Sequence, residues 1–367
     1  MARGLCFGWI IPTLALTLCA ESALALSLED TKFKGDLRMR YQYDHKSMAD
    51  SSTQRHRGRG RLRFGFETRV NDRVDIGIRL ASGQTDNRST NQTFADFFTT
   101  KDLRLDMAYA AWEPGDGVGF VFGKYREAFL IVDDLIWDGD INFEGASALW
   151  ERPPVGALGA LANGGFFLLD EDKSSSKDPH MFYLQPGVSF TAGGDLTGKF
   201  CIAYYDFKSV KGSVPDASLS AGSNTRVDGR LKYDYDSLNP NLVLAYVLGG
   251  PHGPARTLTL LGDYIYNLDS GDSGYLVGFR VGHPSVSSKA SWMAYYNYRM
   301  LERDAFMDVF PDSDFYGGAT NVRGHEFILE YAVGKNVIMG LDYYAAVKIE
   351  GEKDPLSTLQ LDCVFKF

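Results

Sequence analysis

Arginine recurs at alternate positions in two early stretches of the sequence, Arg38 to Arg40 and Arg55 to Arg63. Every second residue of an extended strand points to the same face, so each stretch would place guanidinium groups on one wall. The predicted basic wall comprises Arg38, Arg40, Arg57, Arg59, Arg61, Arg63, Arg79 and Arg104. In a confined passage these groups would attract anions and orient passing dipoles. The alternative is a structural wall, paired with carboxylates such as Asp36, Glu67, Asp75 or Asp106.

A second segment mixes carboxylates with large apolar side chains. Its acidic residues are Glu127, Asp133, Asp134, Asp138 and Asp140, and its apolar residues are Phe129, Ile131, Leu135, Ile136 and Trp137. A loop surrounded by water has little reason to be so apolar. We therefore expect residues of about 125–140 to fold inward, with their carboxylates facing the arginines across a constriction. A subunit contact or a weak calcium site is the alternative interpretation.

The elements that would position these residues are β-strands. From Thr31 to Tyr43, apolar residues such as Phe33 and Leu37 alternate with charged residues such as Asp36 and Arg38. The alternation is as long as a tilted strand needs to cross a bilayer. Short turns alternate with long polar segments at 44–56, 82–102 and 301–321, and aromatic residues gather near strand ends. This pattern predicts an all-β fold, a transmembrane antiparallel up-and-down β-barrel with apolar residues outside.

The number of strands follows from the alternation of short turns and long loops. We predict strands at 31–43, 57–69, 73–81, 103–112, 117–124, 141–150, 157–168, 180–190, 196–207, 240–248, 256–266, 274–282, 289–299, 323–333, 336–348 and 357–367. The stretch 226–238 is assigned to a loop or to an extension of the next strand. About 16 strands are expected, with 14–18 possible, and a barrel of this size encloses a water-filled lumen.

Both ends of the chain indicate where such a barrel resides. Arg3, an apolar stretch from Leu5 to Cys19 and the sequence Ala23-Leu24-Ala25 predict a secretory signal peptide over residues 1–25, followed by the barrel over 26–367. The last strand ends in Phe365 and Phe367, the kind of ending that the outer-membrane assembly machinery recognises. We therefore expect the outer membrane of a Gram-negative bacterium.

Composition excludes several classes of protein. The net charge of −9 over 367 residues disfavours nucleic acid as a partner. No cysteine or histidine spacing predicts a metal site, and no cofactor is expected. Cys201 and Cys363 lie in separate predicted strands, where they are either small apolar residues or one disulfide.

The favoured function is passive diffusion of small hydrophilic solutes and ions through a water-filled channel, with no catalytic residue. An outer-membrane hydrolase is suggested only by His283-Pro284-Ser285, at a strand end without a residue to orient the histidine. A channel specific for sugars or organic anions would use lumen aromatics, for which Tyr205, Phe207, Tyr295 and Tyr344 are candidates. The sheath of an outer-membrane conduit complex is the remaining alternative.

The chain from residue 26 onward resembles the bacterial general porins, and more narrowly the putative porin family. The resemblance rests on Phe33-Lys34-Gly35-Asp36-Leu37-Arg38, the Arg55–Phe66 repeat, Arg88–Thr93 and Ile136-Trp137-Asp138-Gly139-Asp140. It implies that the third external loop, here about 125–140, narrows the pore. It also implies a homotrimer in contact with the lipid bilayer and lipopolysaccharide.

Overall fold

The computed structural model describes residues 30–367 except 116, 127, 172, 174–176, 217 and 250–255. The predicted signal peptide, residues 1–25, lies outside the described residues. All sixteen predicted strands are present in the barrel: β1 Thr31–Ser47, β2 Ser52–Asn71, β3 Val74–Ser82, β4 Leu103–Gly115, β5 Val118–Tyr125, β6 Phe143–Val155, β7 Leu158–Leu168, β8 His180–Ala192, β9 Leu196–Lys208, β10 Ser237–Leu248, β11 Arg256–Asn267, β12 Ser273–Gly282, β13 Trp292–Leu301, β14 Val322–Gly334, β15 Val337–Lys348 and β16 Leu356–Lys366.

The sheet closes on itself. Each strand pairs antiparallel with its neighbours in sequence, and β16 pairs with β1 from Asp36↔Lys366 to Lys46↔Leu356. At the seam the backbone N–H of Gly35 donates to the carbonyl of Phe367 at 2.8 Å, and the reverse bond is 3.0 Å. Closure removes the free sheet edges that hydrocarbon could not hydrogen-bond. The prediction of an antiparallel barrel is confirmed.

Apolar side chains cover the outside and polar ones the inside. Phe33 on β1 is 60% exposed and Phe64 on β2 is 43% exposed, whereas Arg40 and Gln42 are only 7% and 3% exposed. A water-soluble sandwich would show the opposite distribution. Within the described residues, no helix is long and apolar enough to cross a membrane. Cys201 and Cys363 are both free thiols.

The first hairpin corrects the prediction of a long loop over 44–56. β1 continues to Ser47 and β2 begins at Ser52, so only residues 48–51 connect them. Asp44 pairs with Arg55, and Asp44 also accepts a hydrogen bond of 2.6 Å from Arg57. At this end of the hairpin both faces carry polar residues. The alternation of apolar and polar residues is therefore lost there, and the segment was predicted as a loop. Cross-strand pairing holds the hairpin together there without an apolar face.

The remaining connections divide into two classes. One end of the barrel has short turns such as 72–73 and 335–336, while the other carries the long loops 83–102, 126–142, 209–236 and 302–321. Residues 226–231 form a small two-stranded hairpin inside the 209–236 loop, outside the barrel sheet. The two-residue strand Gln92–Thr93 pairs with β2. These long loops contain most of the chain that is free to narrow the lumen.

Three of the long loops meet inside the barrel. Trp137 of loop 126–142 lies 5.0 Å, centroid to centroid, from Phe306 of loop 302–321, and 5.7 Å from Tyr205 on the inner face of β9. Leu231 of loop 209–236 belongs to the same buried cluster. Burying each of these large side chains contributes about 1.5–3 kcal/mol. The barrel therefore contains a hydrophobic core that fixes the loops in its lumen.

Candidate functional site

The register of β1 and β2 brings the predicted arginines together. Arg38 lies opposite Arg61, and Arg40 lies opposite Arg59, all four on the lumen face. Directly opposed residues of an antiparallel pair are about 5 Å apart, so like charges at these positions repel each other. Counter-charges must therefore lie close to this part of the wall.

Part of the compensation comes from the wall itself. Arg61 and Arg63 both donate to Asp36, at 2.7 and 2.8 Å. Arg40 holds Asp362 of β16 through two hydrogen bonds of 2.7 and 2.8 Å. These pairs fix the guanidinium planes and reduce the net charge of the wall.

Arg38 is neutralised less than Arg40 and Arg61. Its side chain donates to Asn91 at 2.7 Å, and its nearest carboxylate oxygen in an ion pair, on Asp362, is 3.7 Å away. Its buried Nε has no hydrogen-bond partner. A buried guanidinium N–H without a partner costs free energy, which a hydrogen bond donated to a solute oxygen would recover.

The two remaining predicted arginines lie elsewhere. Arg79 on β3 donates to Asp106 at 2.5 Å and contacts Asn142 at 3.5 Å, near the edge of the wall. Arg104 begins β4, three strands away from β1 around the barrel. Its side chain is 47% exposed and paired with Asp102 at 3.2 Å. Arg104 is therefore not part of the cluster on β1 and β2.

Loop 126–142 sends its four described acidic residues in two directions. Asp140 accepts hydrogen bonds from Thr90, at 3.0 Å from the backbone and 2.9 Å from the hydroxyl, and lies 3.4 Å from Arg63. Asp138 accepts the backbone N–H of Ser313 at 2.8 Å. This pair lies on the side of the arginine wall. Glu127 lies outside the described residues.

The other two acidic residues turn to the opposite wall. Asp134 forms an ion pair of 2.8 Å with Arg299 on β13, and Asp133 accepts a hydrogen bond from the hydroxyl of Tyr295. Arg299 is 3% exposed and also contacts Glu326 of β14. Sequence reasoning placed all these carboxylates in one strip, whereas the folded loop splits them between two partners.

Burial and neighbouring charges act on these loop carboxyls in opposite directions. Burial raises the pKa of Asp138 well above its usual range, and the nearby charge of Asp140 raises it further. Burial would also raise the pKa of Asp140, but the fields of Arg61 and Arg63 outweigh it and lower that pKa to about 2. Burial and the charge of Asp134 raise the pKa of Asp133. Of Asp138 and Asp140, the one nearer to the arginines of β2 therefore has the lower pKa and is the more readily ionised.

Loop 302–321 supplies carboxylates that the sequence interpretation missed. Asp314 lies 2.9 Å from Arg40 and 3.7 Å from Arg59, and Asp312 lies 3.3 Å from Arg299. The fields of Arg40 and Arg59 overcome burial and lower the pKa of Asp314, whereas burial and Asp134 raise the pKa of Asp312. Residues 304–315 mix apolar and acidic residues as 127–140 do. The criterion that identified the first loop would have identified this one.

An opening of about 300 Å³ remains between the two loops and the arginine wall. Its charged lining comprises Arg38, Arg40, Arg61, Arg63, Arg88, Arg126, Asp134, Asp138, Asp140, Asp312, Asp314, Glu326 and Asp342. A larger cavity of about 970 Å³ lies toward the short-turn end, below loop 126–142. The lumen thus has a charged constriction and a wider compartment.

Comparison with protein families identifies the chain. Its sequence matches the model of the family described as putative porin over residues 40–243 and 230–367. This chain belongs to the putative porin family. The porin is a channel for solute diffusion in the outer membrane of a Gram-negative bacterium, as the sequence predicted. In such barrels the short turns face the periplasm and the long loops face outward.

Solved structures share the porin's fold at low sequence identity. OprB of Pseudomonas putida in its high-pH structure is 12% identical with a TM-score of 0.59, over 92% of this chain and 94% of that one. The outer membrane channel DcaP of Acinetobacter baumannii is 13% identical with a TM-score of 0.51, over 92% and 97%. No curated protein sequence matches the chain. At these identities the likeness concerns the fold alone.

The porin's other candidate residues have structural contacts. His283 contacts the backbone of Trp292 at 3.2 Å, and the Ser285 hydroxyl donates to Ser287 at 3.2 Å, in a periplasmic turn. Neither contact prepares a nucleophile. Tyr205 is fully buried beneath the inward loops. The inward-facing aromatics Phe207, Tyr295 and Tyr344 are at most 5% exposed.

Proposed function

We propose that this porin passes small hydrophilic solutes and ions through the opening between the arginines of β1 and β2 and the two inward loops. The observation that carries the proposal is the lining of that opening, which combines guanidinium groups, four of the six on β1 and β2, with carboxyls, five of the seven on the two inward loops. Opposite charges across a narrow gap make a transverse field, which favours solutes that can orient a dipole as they pass.

The ionisation of the lining sets the expected selectivity. Six guanidinium groups and seven carboxyls border the opening. Burial and neighbouring carboxylates raise the pKa of two of those carboxyls, Asp138 and Asp312, which favours their neutral form over that of an ordinary aspartate. With these two protonated, six guanidinium groups face five carboxylates, so we expect a weak preference for anions.

The contents of the lumen argue against the other candidate functions. The lumen side of β8 and β9 is covered by the loop residues Phe129, Trp137 and Phe306. A protein threaded through the barrel, as a conduit sheath requires, would have to displace this core. We also propose that the chain has no catalytic activity, since its function rests on the passage and not on a reactive residue.

Association with other molecules is part of the proposal. We propose a homotrimer, as the resemblance to general porins implies, and insertion by the outer-membrane assembly machinery through Phe365 and Phe367. We propose that the outer face from β4 to β7 is the subunit contact, because it combines small residues, among them Ala110, Ala146, Ala148, Ala160 and Gly164, with exposed apolar ones such as Phe122. Light scattering of the detergent-solubilised barrel measures the subunit number.

The experiment that tests the channel is electrical. The refolded barrel is reconstituted in a planar bilayer, and conductance and reversal potential are measured across a salt gradient at pH 7. We expect stepwise increases in current that are linear in voltage. We also expect a reversal potential whose sign indicates that anions pass more readily than cations. A barrel that shifts on a gel after heating, and is therefore folded, yet conducts no current would refute the proposal.

A further inference from the structure

The cavity below loop 126–142 differs in chemistry from the constriction above it. It has a volume of about 970 Å³ and opens to the periplasmic half of the lumen, where β4 to β7 meet their turns. Apolar side chains of the loop, including Leu130 and Ile131, line its upper side. Leu149 of β6 and Leu161 of β7 line its wall. A water-filled passage does not require this apolar lining.

Hydrogen bonds and ring packing fix the part of loop 126–142 that lines the cavity. Gln185 on β8 is fully buried and clasps the loop at Leu130, accepting its backbone N–H at 2.7 Å and donating to its carbonyl at 2.9 Å. Phe129, next to it, packs on Tyr183 with ring centroids 4.8 Å apart. The loop therefore keeps Leu130 at the cavity while the neighbouring ring is buried.

Polar groups lie at both ends of the apolar zone. At the periplasmic end, Lys199 and Glu151 form an ion pair of 3.4 Å. At the constriction end, Arg126 and Asp138 line both the cavity and the opening above it. Glu113, Asp133, Asp134 and Asn163 also line the cavity. A partly enclosed space that combines apolar side chains with polar groups is typical of a small-molecule site.

We propose that this cavity is a binding subsite for solutes that have a compact apolar body, such as an aromatic ring, and one polar or charged end. The body would lie against Leu130, Leu149 and Leu161, and the polar end would face the charges at either end. The inference rests on the proposed channel, because solutes reach the cavity through it. With this subsite, the porin retains ring-bearing solutes longer than ring-free solutes of equal charge.

The test compares probes that differ only in the apolar body. Block of the single-channel current by benzenesulfonate is compared with block by methanesulfonate, and block by trimethylphenylammonium with block by tetramethylammonium, each added from the periplasmic side. Within a pair the charge is constant, so the difference measures the apolar body. We expect the ring-bearing member of at least one pair to block at a concentration at least about tenfold lower.

Two variants locate the effect. The double variant Leu149→Ser/Leu161→Ser makes the wall polar, and we expect it to reduce the ring preference to within about threefold. Gly119→Leu adds bulk to the cavity wall instead. A Cβ at Gly119 would meet only the Leu149 Cβ, at 3.9 Å, so the first side-chain carbon fits without moving backbone. The matched control is Leu261→Ser, which changes a buried lumen-side leucine of β11 outside the cavity.

The outcomes separate the two proposals. Equal block within both pairs, in a wild-type channel that conducts, would overturn the subsite and leave the channel intact. A ring preference that survives both Gly119→Leu and the double serine variant would also overturn it, because the ring would then bind elsewhere. Absence of conductance in a folded barrel would instead refute the channel itself. Heat-dependent gel mobility shows which variants have folded.

Discussion

The two sides of the lumen are built from the same alternating strands but have opposite chemistry. On β1 and β2 the inward positions hold arginines paired with carboxylates such as Asp36. On β6 to β9 they hold aromatic residues such as Phe143 and Tyr205, which are buried beneath loop 126–142. The lumen positions beside the charged opening are therefore mostly polar, and those beneath the aromatic part of the loops are mostly apolar. The apolar side anchors the loops, and the charged side borders the passage.

The largest expected effect comes from removing the anchor on the apolar side. Trp137→Ala removes a side chain that contacts rings of two loops and of the wall, and such a change costs about 3–5 kcal/mol. We expect loop 126–142 to leave its place and single-channel conductance to rise. Trp150→Ala, at a partly exposed outer tryptophan, is the control. Unchanged conductance in a folded Trp137→Ala barrel would mean that the loop does not limit the current.

A smaller effect is expected from the charged side. Arg38→Gln removes a guanidinium of the opening that lies 3.7 Å from the carboxylate of its ion pair, while Arg104→Gln removes one that lies outside the cluster. One unit charge acts on an ion about 8 Å away with about 0.5 kcal/mol in water, or about twofold in permeability. We expect the anion preference to fall by about that factor in Arg38→Gln only. Equal shifts in both variants would show that the whole wall, and not the opening, sets selectivity.

The contact between loop 209–236 and loop 302–321 provides a third test. Asp308 accepts hydrogen bonds from the Ser220 hydroxyl at 2.7 Å and from the backbone N–H of Ser223 at 2.6 Å. Asp308→Asn weakens these charge-assisted bonds, at a cost of about 1–3 kcal/mol. We expect faster proteolysis of loop 209–236 and noisier current. Asp216→Asn, at an exposed carboxylate of the same loop, should leave both measurements unchanged.

The smallest effect is a dependence of selectivity on pH. Burial and neighbouring carboxylates raise the pKa of Asp138 and of Asp312, so both groups lose their protons at a higher pH than an ordinary aspartate does. Each loss adds a negative charge to the opening, so the preference for anions should weaken as pH rises. Reversal potentials measured from pH 6 to pH 9 test this sign. A shift toward anions over that range would contradict the assigned ionisation.

The sequence was sufficient for the strands because alternation is a local property. β1 and β2 are recognisable from their own residues, without knowledge of their partners. The first hairpin was misjudged, since its outer end is polar on both faces and only the pairing of Asp44 with Arg55 shows that it is strand. Local composition therefore locates membrane-crossing segments better than it locates their ends.

The site was less predictable because it depends on contacts between distant segments. The arginines of β1 and β2 could be placed together from alternation alone. The contacts of Asp133 with Tyr295 and of Asp134 with Arg299 join residues more than 160 positions apart, and they depend on how the loop turns inside the closed barrel. The part played by Asp314 likewise requires loop 302–321 to reach β1.

The pairing of β1 with β16 has a consequence for the time course of folding. Asp36 must find Lys366, so the last ladder of the barrel joins segments at opposite ends of the described chain. Contacts at such long sequence separation form slowly. Until they form, the sheet has two unpaired edges that can bind other chains. Newly made molecules of this porin therefore depend on protection from aggregation for longer than a protein of similar size with mostly local contacts.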